Sequence, residues 1–169
     1  MQRRVVLIVV ALIAAVVAIV VPSGSAQVPG PTTLTLFEPE DEGTFRILDH
    51  KPKSPVKNPE SRKYRFSVGD QVIFSSPLYD RPGGASMGTL YVKSTVVKGK
   101  SFANAKLMAE GAYEFRDGSQ IVLAGLFSFA NAANVRVAVT GGTGTYDGVT
   151  GSLVSTEVPG GTQDVLTLR

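Results

Sequence analysis

Few side chains in this sequence are of a kind that does chemistry, and the missing types narrow the options. Cysteine does not occur, so thiol nucleophiles, disulfides and thiolate metal sites are excluded. His50 is the single histidine. It lies in the loop-like run Asp49-His50-Lys51-Pro52 and reads as solvated, which leaves a histidine zinc site or a Ser-His-Asp triad without its base. No metal site is expected. The run Gly141-Gly142-Thr143-Gly144-Thr145-Tyr146-Asp147-Gly148 follows a strand, as a phosphate loop would. It lacks both the third glycine of a dinucleotide fingerprint and the Gly-Lys-Ser/Thr ending of a P-loop. No helical pattern follows to supply a dipole for a phosphate. Gly141, Gly142, Gly144 and Gly148 are therefore assigned to a tight, positive-φ connection between two strands. Asp70 and Asp80 flank a strand and read as turn or register residues. Arg136 shares a face with Ala138 and Thr140 and reads as outward and solvated.

The elements that must position any site are strands. Residues 33–38 alternate and are rich in Thr and apolar side chains, and 45–48 predict a short second strand. Residues 49–63 hold Pro52, Pro55, Pro59 and many charges, which predicts an irregular, solvated loop. Further strands are predicted over 71–74, 87–97, 102–108, 112–115, 121–129, 135–140, 151–157 and 164–168. Tyr79 to Gly84 and Asp117-Gly118 are the turn signals between them. The segment 121–129 is so apolar that burial on both faces is expected. No segment after the leader shows a sustained helical period. Short strands separated by Gly, Asp and Pro predict a sandwich or a barrel. Gly88, Ala124 and Gly125 lie inside strands, where tight curvature needs small residues, and favour closure into a barrel.

The N-terminus reads as a targeting segment. Arg3 and Arg4 precede an unbroken apolar run from Val5 to Val21, then Pro22-Ser23-Gly24-Ser25-Ala26. That order predicts a secretory signal cleaved after Ala26, and so a secreted protein. The alternative is an uncleaved membrane anchor over residues 5–21. Residues 27–32 form a linker, and 33–169 have the length of one ordinary domain. The chain carries 17 Lys+Arg against 14 Asp+Glu. Without Arg3 and Arg4 the balance is close to neutral, so no nucleic-acid footprint is read.

Three stretches carry a family resemblance. They are Leu36-Phe37-Glu38, then Gly69 to Asp80 followed by Gly88, then Val137 to Gly148 ending in Gly151. Their order and spacing resemble the allene oxide cyclase family and its wider barrel superfamily, which includes the plant dirigent proteins. The resemblance implies an all-β fold, an eight-stranded antiparallel β-barrel of calycin type, here preceded by the N-terminal signal helix. It also implies an internal cavity, a trimer as the usual assembly, and no dissociable cofactor. The implied partner is a hydrophobic small molecule in the barrel. A cavity of roughly 300 Å³ or more would suit such a ligand.

Residue by residue, the catalytic glutamate of the cyclases matches Glu38. Leu34, Leu36 and Glu38 share one face of their strand, so an inward face would place this carboxyl in an apolar cavity and raise its pKa. Ser76 and Tyr79 are the expected ligand-orienting groups, with Leu36 beside them. The departures are specific. Glu40 stands where the cyclases have an asparagine, and Ser76 replaces a second one. Ser94 lies near the position of a cysteine. Ser75 and Ser76 stand where dirigent proteins have paired aspartates. The expected function is a secreted barrel that binds a hydrophobic molecule, either as an isomerase, cyclase or dirigent-like steering protein or as a non-catalytic binding or structural barrel.

Overall fold

The computed structural model describes residues 31–58, 61 and 63–169. The expected leader at 1–26, its signal helix, and residues 27–30 of the linker lie outside them. The described residues hold nine strands: β1 (Thr32–Pro39), β2 (Thr44–Leu48), β3 (Gln71–Tyr79), β4 (Ser86–Lys98), β5 (Lys106–Phe115), β6 (Gln120–Ser128), β7 (Asn134–Thr143), β8 (Gly151–Val158) and β9 (Gly161–Leu168). All pairings are antiparallel. The order β1-β9-β8-β7-β6-β5-β4-β3-β2 is closed by a further pairing of β1 with β3, at Phe37 and Tyr79. Both β1 and β2 lie along β3, on either side of a corner at Glu40–Gly43. They act as one interrupted strand, and the wall is an eight-stranded closed barrel. Closure joins the two ends of the sheet through β1 and β3, and β2 pairs with β3 alone.

Alternation fixes which side chains enter the barrel. On β7, Val135, Val137 and Val139 turn inward and Arg136, Ala138 and Thr140 outward. The expected burial of both faces of 121–129 does not occur. Ile121 and Leu123 are buried, whereas Val122 is 39% and Leu126 49% exposed. A single barrel wall has an inner face to bury and nothing against its outer one. The strand expected at 102–108 also changes. Residues 99–105 form a connection tied by Asn104 Oδ1, which accepts from the Lys100 and Ser101 amides. The strand starts at Lys106 and runs unbroken to Phe115, so 112–115 is not a separate element.

Of the four glycines assigned to the tight connection, Gly144 and Gly148 adopt positive φ, at 62° and 72°. Gly141 and Gly142 instead continue β7. Gly142 is required for another reason: a Cβ there would lie 2.4 Å from the Tyr146 carbonyl oxygen.

Two cores fill the structure. One plugs the barrel with Leu36, Leu78, Leu90, Tyr113, Phe115, Ile121, Leu166 and Leu168 among others. The other lies where residues 64–66 fold over β3, β4 and β5. There Tyr64 and Phe66 pack on Val72, Val96, Ala105 and Leu107, with Phe127 and Phe129 alongside. The segment beyond Leu48 is irregular and charged as expected, but it ends in a cap rather than in solvent. Asp70 holds the cap down: its fully buried carboxylate accepts from the His50 amide at 2.7 Å and the Ser67 amide at 2.8 Å. Phe66 touches Tyr64, Phe102 and Phe129 by ring contacts. Phe66→Ala is expected to lower stability by about 3 kcal/mol, read from urea unfolding.

Candidate functional site

The site is assembled by register. Across β1 and β9, Leu36 lies opposite Asp164; across β8 and β9, Ser155 lies opposite Asp164. These three side chains form one inward layer. Glu38 is the next inward residue of β1 beyond Leu36, which places it diagonally next to Asp164. Tyr113 comes from β5, four positions from β9 in either direction around the wall. Its ring spans the interior, and its hydroxyl donates to Asp164 Oδ2 at 2.5 Å. Tyr113 has no exposed surface and Asp164 is 1% exposed.

This packing sets the protonation. Burial pushes the Glu38 carboxyl up from 4.5 to about 9. The charge of Asp164 and a hydrogen bond to Asp164 are the lesser contributions to that same rise, and a hydrogen bond with Ser76 opposes it. Two carboxyls this close in an apolar interior do not both ionise readily, and the Glu38 carboxyl is held well above its ordinary range. Burial also pushes the Tyr113 phenol well above its usual range, with the Asp164 charge and hydrogen bond next and Glu38 last. Tyr113 is thus a neutral donor. Asp164 Oδ1 is buried with no hydrogen-bond partner.

Glu38 and Asp164 open onto a cavity of about 120 Å³. Its walls are mostly apolar, with Phe74, Leu90, Val92, Leu123, Val137 and Leu153 among them, and Ser155 adds a hydroxyl residue. The volume is below the roughly 300 Å³ expected, because Tyr113, Leu90 and Leu153 belong to the plug that fills the barrel beneath it. Among the described residues no group of His, Cys, Asp or Glu could hold a metal ion.

The expected site residues are dispersed by this geometry. Glu38 faces the cavity. Ser76 is buried beside Glu38 but is not part of the cavity wall. Leu36 is fully buried in the plug and supports Asp164 from the neighbouring strand. Tyr79 has the opposite parity to Ser76 and Leu78. Its hydroxyl donates to Glu42 Oε2 at 2.8 Å in an exposed hydrogen bond, away from the cavity wall. Glu40 is exposed on the corner after β1. Ser94 points inward and is buried, its Oγ without a partner.

Sequence reading missed Asp164 and Tyr113. A signal was present for the first: Asp164, Leu166 and Leu168 share one face of β9, so an acid occupies an apolar parity. Tyr113 and Phe115 alternate in the same way on β5, but no local pattern says that the hydroxyl crosses to β9.

Fold and site together define a closed, antiparallel β-barrel with a buried acid pair at the base of an apolar cavity. Solved structures with this fold include a pyocyanin demethylase, with a TM-score of 0.61 and 23% identity, over 82% of this chain and 100% of that one. A pterocarpan synthase dirigent protein matches at TM-score 0.57 and 15% identity, over 85% of this chain and 88% of the other. A second such dirigent protein matches at 0.53 and 18%, over 82% and 90%. At these identities the likeness is one of fold, and it agrees with the resemblance to the dirigent and allene oxide cyclase-like barrels read from the sequence. No family model matches the chain, and no curated protein does.

The acid pair makes stability depend on pH. Folded Glu38 keeps a proton that the unfolded chain releases above 4.5. Stability is therefore full below that value and falls as pH rises toward about 9. Urea unfolding between about pH 5 and 8 should show a loss approaching 1.4 kcal/mol per pH unit at most, and Glu38→Gln should flatten the slope.

Proposed function

We propose that this protein is an exported barrel that binds a hydrophobic small molecule in its cavity and performs acid–base chemistry on it. The observation that carries this reading is a neutral buried carboxylic acid, Glu38, beside a carboxylate held by Tyr113, both facing an apolar hollow. A carboxylic acid that keeps its proton at neutral pH is a general acid poised for use. Glu38 donates its proton to an oxygen or an unsaturated carbon of the ligand. Asp164 stabilises the positive charge that develops. The pair recovers a proton from a second atom of the ligand, so the net change is an isomerisation or ring closure that consumes nothing. The walls hold the ligand in one shape and exclude water, which supplies much of the rate in such reactions.

The solved structures that share the fold support small-molecule chemistry, since they include a pyocyanin demethylase and two pterocarpan synthase dirigent proteins. The departures at Glu40, Ser76 and Ser94 argue against allene oxide cyclisation itself. Export rests on the leader at 1–26, with anchoring by residues 5–21 as the alternative. Exposed apolar side chains on the outer wall, Tyr91, Met108, Val122 and Leu126, support self-association, as a trimer by resemblance.

Native mass spectrometry of protein purified from its own source should reveal a mass excess of one small molecule per chain. Ala109→Phe, which fills the hollow from its wall, should remove that excess. With the ligand identified, Glu38→Gln should leave binding intact and slow turnover about 100-fold or more. An unchanged rate would remove Glu38 from the chemistry and leave a binding barrel.

A further inference from the structure

Within the reading just given, the cavity wall restricts the chemical class of the ligand. Glu38 and Asp164 bring carboxyls to the lining, Glu110 adds to the wall while its exposed carboxylate lies on the outer face, and no Lys, Arg or His is among the lining residues. The Glu110 carboxylate lies 3.1 Å from Lys93 Nζ and is balanced there. The Asp164 carboxylate has no such counter-charge. Tyr113 satisfies Oδ2 and the neutral Glu38 carboxyl hydrogen-bonds to the same side chain, while Oδ1 is buried without a further partner on a residue that forms part of the wall. A buried carboxylate oxygen left unpaired is costly, and a donor or a positive charge from a ligand relieves that cost. An anionic ligand would instead bring like charge into a hollow with no base to receive it.

Size and shape add to this. An apolar protein cavity of about 150 Å³ accepts one benzene. The hollow here, about 120 Å³, is on the same scale, with Phe74, Leu123 and Val137 in its sides.

We propose that the cavity takes a small organic cation bearing N–H donors and about one ring in size, its charged head on Asp164 Oδ1 and its ring against Phe74, Leu123 and Val137. This rests on the ligand-cavity reading of the previous section, independently of its acid step, and makes the class of ligand specific. Charge-assisted hydrogen bonds of this kind are shorter and stronger than neutral ones. The groups facing Glu38 are Asp164 from β9, Tyr113 from β5 and Ser76 from β3, and none of them is a cation. A bound cation therefore favours ionised Glu38, and its affinity must climb as pH approaches about 9 and level off above it.

Titration calorimetry of the purified protein with benzamidinium, benzamide, benzoate and toluene tests the proposal. The first three share a shape and differ in charge; toluene reports on the hollow alone. Benzamidinium is expected to bind at least about tenfold more tightly than benzamide at neutral pH, and benzoate not measurably. Asp164→Asn should erase that preference while keeping toluene affinity. Should this variant not fold, the pH series on the unaltered protein decides: affinity for benzamidinium rises toward pH 9 and Glu38→Gln makes the series flat. Equal affinity for benzamidinium and benzamide, a preference for benzoate, or a flat series in the unaltered protein would overturn the cation proposal, with toluene binding leaving the ligand cavity standing. Failure of all four probes to bind would overturn both.

Discussion

A carboxylate removed from water has to be compensated, and the interior of this barrel is organised around that requirement at Asp164. One oxygen is met by the phenol of Tyr113 at 2.5 Å, donated from the far side of the wall. The residual charge is tempered by a neighbour that remains protonated, Glu38. Leu36 and Ser155 flank Asp164 on the adjoining strands and fix its position. A buried charge with partial compensation destabilises a fold, so its presence in a small barrel marks a site rather than a packing residue. The same arrangement gives one acid its proton and another its charge, set by environment alone.

The shape of the hollow follows from how the barrel is closed at each end. Below the acid pair, Tyr113, Phe115, Ile121, Leu166 and Leu168 fill the interior as one buried hydrophobic core. Above β3, β4 and β5 the cap formed by Tyr64 and Phe66 covers the ends, and Asp70 pins it by accepting two backbone amides. What remains open lies between plug and cap and is lined from β1 and from β3 through β9. It is narrow because the plug rises to Leu90 and Leu153. The fold is shared with a demethylase and with dirigent synthases, so it does not dictate a reaction.

The sequence by itself determined the element types. Alternation in β1, β7 and β9, the Asp117-Gly118 turn and the absence of helical periods are local properties, and strand geometry turns them directly into a pleated wall. It also established that Glu38 shares a face with Leu34 and Leu36, because the period of a strand is two. The lining of the site was decided elsewhere. Asp164 and Tyr113 meet through closure of β1 on β3, and that closure sets β9 opposite β5, residues 51 apart in the chain. Tyr79 lay two residues from Pro77 and three from Ser76, yet parity sent its hydroxyl to Glu42 on the outside. Local pattern assigns a side chain to a face. Only the closed barrel decides which faces look at one another, because register and curvature are properties of all the strands together.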